Sequence, residues 1–264
     1  MKKSLIKILF CVLTIGFGSA HAQQTPAAKL TISTAATQAI PTSTTKPNYI
    51  ELSPSLVPAS LKVAPHQILV LDFFSFGCPH CYKLHSHIDQ WVAANAKRIL
   101  PPFGTPDKKA KTKPYITFQP VPVAFESGWD VLSKAYHISH TLKLDKTLNN
   151  KIFDIAQNPL LGLNSDAQLR SFFLNNGVKA EDYDKIANSP ELQAALKDDQ
   201  ALMQAFKIME IPTVIIITSD KVYDISNRTV VNADPALFVK TLADLTGTSS
   251  TVDASAKSSN PTAA

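Results

Sequence analysis

The sequence predicts an α/β fold in which strands at either end of the body enclose an inserted run of helices. Three observations point there. A near-continuous apolar run from Ile68 to Ser75 stops just short of two cysteines. Four successive stretches between Trp129 and Phe206 carry apolar residues at helical spacing. A second apolar run, from Pro212 to Thr218, then turns back on itself.

In chain order, the first feature is an export leader. Lys2, Lys3 and Lys7 precede an apolar run from Ile8 to Phe17, and Gly18-Ser19-Ala20-His21-Ala22 follows as a small-residue cleavage pattern, so residues 1–22 read as a signal peptide cut after Ala22. The run is shorter than the roughly 20 residues that span a bilayer. Phe10 before Cys11 argues against a lipid-anchored cysteine, which needs a small residue in that place. The mature chain is thus expected to be soluble, exported and tolerant of disulfides. The leader carries three lysines and no acid, so its loss takes the net charge from +5 to +2. That balance argues against a nucleic-acid partner. The lysines between Lys97 and Lys113 are interrupted by Pro101, Pro102, Gly104 and Pro106 and read as a solvated loop.

Residues 23–48 are rich in Thr, Ser, Ala, Pro and Gln and predict a flexible N-terminal arm. Residues 248–264 repeat that composition and predict a disordered tail. Between them, about 200 residues are ample for one domain with a sizeable core. Its first strand, Ile68 to Ser75, suits burial on both faces. A helix should begin at the cysteines, with Pro79 tolerated in its first turn, and continue through Tyr82, Leu84, Ile88, Trp91 and Val92. A strand from Tyr115 to Val123 follows. The helical insertion, residues 126–206, comprises Trp129 to Leu142, Lys146 to Gln157, Asp166 to Asn175 (closed by Gly177) and Ala180 to Phe206. Strand Pro212 to Thr218 then pairs with Val222 to Ser226 across Ser219-Asp220-Lys221. Asp234 caps a last helix, with Pro235 at its first position, ending near Leu245.

Once the leader is gone, Cys78 and Cys81 of Cys78-Pro79-His80-Cys81 are the only thiols left. They can cycle between disulfide and dithiol or hold a metal. Zinc could draw on Cys78, Cys81, His85 and His87, but one continuous helix does not readily close a tetrahedron, and His85 and His87 point about 200° apart. Disulfide exchange needs a thiolate, and an ordinary cysteine is only a few per cent ionised at neutral pH. A helix N-terminus supplies about 0.3 to 2 kcal/mol, roughly one pKa unit. The rest must come from direct donors: the amides of His80 and Cys81, and the His80 side chain. An ionised Cys78 stabilises the reduced form, so its disulfide becomes a strong oxidant. Cys78, the first and more exposed thiol, is then the nucleophile, Cys81 the resolving partner, and Pro79 the restraint on the turn between them.

The order strand, CxxC helix, strand, helical insertion, hairpin, helix is that of a thioredoxin-like fold with an inserted helical domain. The segment Leu71-Asp72-Phe73-Phe74-Ser75-Phe76-Gly77-Cys78-Pro79-His80-Cys81-Tyr82 resembles the active-site segment of DsbA-type periplasmic thiol:disulfide oxidoreductases. The similarity runs from about Tyr49 to Gly247 and includes Glu126-Ser127-Gly128-Trp129 and Ile211-Pro212. The resemblance implies donation of the Cys78–Cys81 disulfide to unfolded or reduced exported proteins, no cofactor beyond that disulfide, and a DsbB-like membrane reoxidant. An X-Pro bond is normally trans, but the resemblance implies a cis Pro212 facing the cysteines, with the backbone of Ile211 pairing with an extended substrate. It also implies a proton-relay role for Asp72, a carboxylate in an otherwise apolar strand. The family often pairs that acid with a lysine on the next strand, whereas the approximate position here holds Gln119. The alternative is a dimeric isomerase that uses the N-terminal arm as its dimerisation element.

Overall fold

A computed structural model describes residues 46–96, 98–99, 115–158 and 162–248. The expected leader, nearly all of the arm, most of the lysine-rich loop and all but the first residue of the tail lie outside the described residues.

The described elements follow in chain order: β1 (Ile50–Leu52), β2 (Gln67–Phe74), α1 (Pro79–Asn95), β3 (Arg98–Ile99), β4 (Tyr115–Pro122), α2 (Trp129–Thr141), α3 (Asp145–Ala156), α4 (Asp166–Asn175), α5 (Ala180–Ala187), α6 (Pro190–Ala205), β5 (Thr213–Ile217), β6 (Val222–Ser226) and α7 (Pro235–Thr246). The strands form one mixed sheet in the order β1-β6-β5-β2-β4-β3. β2 lies between β4, which it pairs in parallel, and β5, which it pairs antiparallel. That central place explains its composition, since both faces and both edges are covered. Pro120 and Pro122 are tolerated in β4 because the edge strand β3 pairs only as far as Phe118.

Successive residues of a strand face opposite sides of the sheet, and β2 sorts its side chains accordingly. Ile68 and Val70 pack with Ile116, Phe118, Val214 and the apolar faces of α1 and α7. Leu69, Leu71 and Phe73 pack instead with the inserted helices, through residues such as Phe153, Phe173 and Phe206. The helical insertion thus shares its core with one face of the sheet. The alternation also puts Asp72 on the α1 face, beneath the cysteines.

The sequence reading differs from the structure at three places. The stretch from Ala180 to Phe206 is two helices, broken at Asn188 and Ser189. Ser189 Oγ accepts from the Leu192 amide and Pro190 takes the first helical position, so the break is a start signal inside a periodic run. The edge strands β1 and β3, of three and two residues, were not expected. Gln119 pairs with Leu71 and so belongs to the face of the inserted helices. The residue opposite Asp72 is Pro120. Gln119 is buried there with its Nε2 lacking a hydrogen-bond partner, and the expected Asp72–Gln119 proximity is replaced by a proline that offers the carboxylate no proton.

The loop joining β2 to α1 is clamped from the insertion. Gln157 Nε2 donates to the Phe76 carbonyl at 2.7 Å, and a Cβ on Gly77 would stand 2.5 Å from Trp129 Nε1. Gly77→Ala should therefore lower the unfolding free energy by about 1 to 3 kcal/mol. Denaturant unfolding checks this, and adding Trp129→Ala should cost less than the sum of the two single changes.

Candidate active site

Each part of the site is set in place by a local rule. Strand β2 ends at Phe74, and the chain turns so that Cys78 becomes the N-cap of α1, with extended backbone (φ −86°, ψ 117°). Pro79, which has no amide hydrogen to lose, takes the first helical position. At an N-cap the side chain accepts a hydrogen bond from an otherwise unpaired amide two or three residues on. Here that acceptor is sulfur: the Cys81 amide donates to Cys78 Sγ at 3.4 Å.

From the other side, the loop leading into β5 brings Ile211-Pro212 against the cysteines. The Ile211–Pro212 bond is cis, and Cys78 Sγ donates to the Ile211 carbonyl across 3.8 Å. This loop is tied down one step away. Thr213 Oγ1 donates to the Glu210 carbonyl, and the Arg228 guanidinium and amide both donate to Glu210 Oε1.

Both thiols are unpaired and buried, so the structure is the dithiol form. Their environments pull them apart. A hydrogen bond with the Cys81 thiol, followed by the amides of Cys81 and His80, lowers Cys78 to about 7, against opposition from burial and the exposed Glu126 carboxylate. Burial, and then the thiolate character of Cys78 itself, push Cys81 well above the usual thiol range. One sulfur ionises near neutrality and its neighbour holds its proton. His80 contributes through its backbone amide. Its side chain is half-buried, with Nδ1 lacking a hydrogen-bond partner, so the expected side-chain bond to sulfur is not made.

Behind Cys81 lies a cavity of about 20 Å³, whose walls include Asp72, Cys81, His85, Phe153 and Pro212. That is just above the space one water molecule needs. Asp72 is only partly buried by surface, yet its surroundings are dry enough that desolvation, helped by the Asp89 carboxylate, raises its carboxyl to about 7. The structure thus brings Asp72, Cys78, Cys81, Ile211 and Pro212 together, with Pro79 and His80 in the first turn above them.

The sequence names Glu126 and Trp129 as part of the resembling segment and His85 as a possible zinc ligand, but it does not show the contacts they make here. Glu126 acts on Cys78, His85 lines the cavity, and Gln157 and Trp129 hold the loop; these contacts join residues far apart in the chain and have no local motif. Three of the exposed large apolar side chains, Tyr82, Phe125 and Met209, stand within three residues of Cys81, Glu126 and Pro212 respectively.

A paired thiol set at a helix start, opposite a cis proline in a thioredoxin-like sheet, defines the class: a thiol:disulfide oxidoreductase. The family follows from comparison. A model described as the DSBA-like thioredoxin domain matches residues 69–243, well over half of the chain, and the chain belongs to that family. Among its relatives, the thiol:disulfide interchange protein DsbA of Pseudomonas syringae pv. tomato is 24% identical over 168 residues, covering 64% of this chain and 69% of the relative. The DsbA of Burkholderia cepacia is 24% identical over 216 residues, covering 82% and 84%. A solved structure of a Proteus mirabilis DsbA cysteine variant, with a non-covalently bound peptide PWATCDS, matches with TM-score 0.54 and 23% identity over 76% of this chain and 94% of the other. At that identity the likeness shows the fold.

Two titrations follow from these environments. A thiol whose pKa falls on folding from 9.0 to about 7 adds stability that is complete above the unfolded value and lost as pH drops through the folded one. The dithiol form should therefore gain on the order of 2 to 3 kcal/mol over the disulfide form between about pH 6 and pH 9; parallel denaturant curves for the two forms check this. Asp72 has the opposite sign, because its raised carboxyl makes folding less favourable as pH climbs from 3.8 through about 7. Asp72→Asn should stabilise the protein by on the order of 1 to 3 kcal/mol at about pH 8 and change little at about pH 4.

Proposed function

We propose that this chain is an exported dithiol oxidase that donates the Cys78–Cys81 disulfide to unfolded or reduced proteins through a mixed disulfide. The observation that carries the reading is the sulfur N-cap. Cys78 accepts an amide hydrogen bond at the helix start and ionises near 7, while Cys81 holds its proton. A client thiolate attacks Cys78 Sγ, the bond between Cys78 and Cys81 breaks, and Cys81 leaves with the electron pair and takes up a proton. The second client thiolate then attacks the client sulfur of the mixed disulfide, and Cys78 departs as a thiolate, a good leaving group because it is stabilised.

Asp72 is the proton donor to Cys81, acting across the cavity they share. Its raised pKa keeps a proton available near neutral pH, and Pro120 opposite offers no competing charge. Ile211 and Pro212 form the seat for an extended client segment. The Ile211 backbone pairs with it as an added strand would, and the exposed Tyr82, Phe125 and Met209 offer apolar contacts to unfolded chain. The relative solved with a peptide bound supports a client of that kind. No cofactor beyond the disulfide is required, and a DsbB-like membrane protein would restore it. Export to the periplasm accords with the leader pattern of residues 1–22. No helix among the described residues is long and apolar enough to cross a membrane. The dimeric-isomerase alternative hangs on the arm, almost all of which lies outside the described residues.

Trapping separates the two thiols. Cys78→Ser should abolish client oxidation, while Cys81→Ala should accumulate mixed disulfides that survive alkylation and non-reducing electrophoresis. Equal trapping by the two variants would overturn the assignment of Cys78 as the attacked sulfur.

A further inference from the structure

The cavity behind Cys81 holds a third titratable side chain. His85 lies one turn beyond Cys81 on α1, and its ring forms part of the same wall as Asp72 and Cys81. The imidazole is packed 4.6 Å from the Phe153 ring and its side chain is 15% exposed. Its Nε2 stands 3.4 Å from Asp89 Oδ2, one further turn along the helix, and the Asp89 side chain is 59% exposed. Residues four apart on a helix share a face, so His85 and Asp89 form a two-step ladder from the cavity to the surface.

The chemistry of the site gives such a ladder a use. Each turnover leaves one proton on Cys81, and Asp72, once it has given its proton away, must recover one from solvent. Leu84, Ile88 and Phe153 around the cavity carry no exchangeable proton. An imidazole can accept a proton on one nitrogen while releasing one from the other, and it titrates near neutrality.

We propose that His85 is the group that passes protons between solvent and the cavity shared by Asp72 and Cys81, with Asp89 as its outer partner. The inference rests on the reading of Asp72 as proton donor. In the oxidising direction the bond between Cys78 and Cys81 breaks, Cys81 keeps the electron pair, and Asp72 protonates it. The Asp72 carboxylate takes a proton from protonated His85 through one cavity water, and neutral His85 is reprotonated at the surface beside Asp89. Reoxidation runs the same transfers in reverse.

The groups facing His85 are consistent with a proton-transfer residue that stays unlocked. Burial is the largest influence and lowers its pKa, while Asp89 and a hydrogen bond that the ring donates to the Asn150 side chain of α3 act in the opposite direction. Asp145 of α3 acts on Asp89, Asp154 of α3 is occupied by the Tyr82 hydroxyl at 2.6 Å, and Asp72 of β2 closes the inner side.

The test is single-turnover reduction of the full-length oxidised protein by a cysteine-containing peptide, followed between about pH 5 and pH 9 for wild type, His85→Gln, Asp72→Asn and the double variant. His85→Gln should slow the step about a hundredfold near neutral pH, the low end for a positioned acid–base group, flatten its pH profile and make it depend on buffer concentration. Added imidazole should restore the rate, His85→Glu should recover part of it, and the Cys78 titration and peptide affinity should not move. The double variant should be no slower than Asp72→Asn. A slow Asp72→Asn beside a wild-type His85→Gln profile would overturn the His85 inference alone. Wild-type behaviour in both would overturn the Asp72 reading with it. An equal slowing of His85→Gln at every pH, with a shifted Cys78 titration, would show that His85 only packs and would also overturn the inference.

Discussion

A negative sulfur at the start of α1 has to be met by fixed positive polarity, and the backbone supplies it. The first amides of any helix lack partners. Here the partner they find is Cys78 Sγ, with the Cys81 amide donating and the His80 amide adding to it. The same contact has opposite effects on the two thiols, since whatever favours charge on Cys78 disfavours a second charge on Cys81. The asymmetry between them therefore follows from one hydrogen-bonded turn. Pro79 at the first helical position and the clamp on Phe76 and Gly77 hold that turn in place.

The sheet decides what lies beneath. Strand β2 is apolar on both faces because it is covered on both, so a single carboxylate in it stands out energetically. Register places Asp72 on the α1 side, in a space large enough for one water, and a one-residue shift would bury it among the phenylalanines of the insertion instead. The site is thus built from three unrelated rules, a helix cap, a strand alternation and a loop anchored by Arg228, which converge on two sulfur atoms.

The parts that were legible in the sequence are those governed by local chemistry. Asp234 with Pro235, and the Ser219-Asp220-Lys221 turn, announce their elements within a few residues, and the Cys78-to-Cys81 motif at the end of an apolar run located the site. Ser189-Pro190 carried the same kind of start signal but sat inside a longer apolar periodicity, which masked it. The edge strands β1 and β3 are too short to show alternation, so only their partners β6 and β4 define them. Faces were legible only once register was known: Gln119 and Pro120 are adjacent in the chain, and which of them meets Asp72 depends on how β4 slides along β2. The His85 contact with the cavity was hidden because it needs α1, α3 and β2 to be in place together.

The hydrogen bond between Cys78 and the Ile211 carbonyl joins residues 133 positions apart, with the whole helical insertion between them. During synthesis the ribosome releases the cysteines long before the segment that will face them. A nascent chain thus carries its two sulfurs without the opposing wall, and the full redox centre comes into being only when the last strands close the sheet.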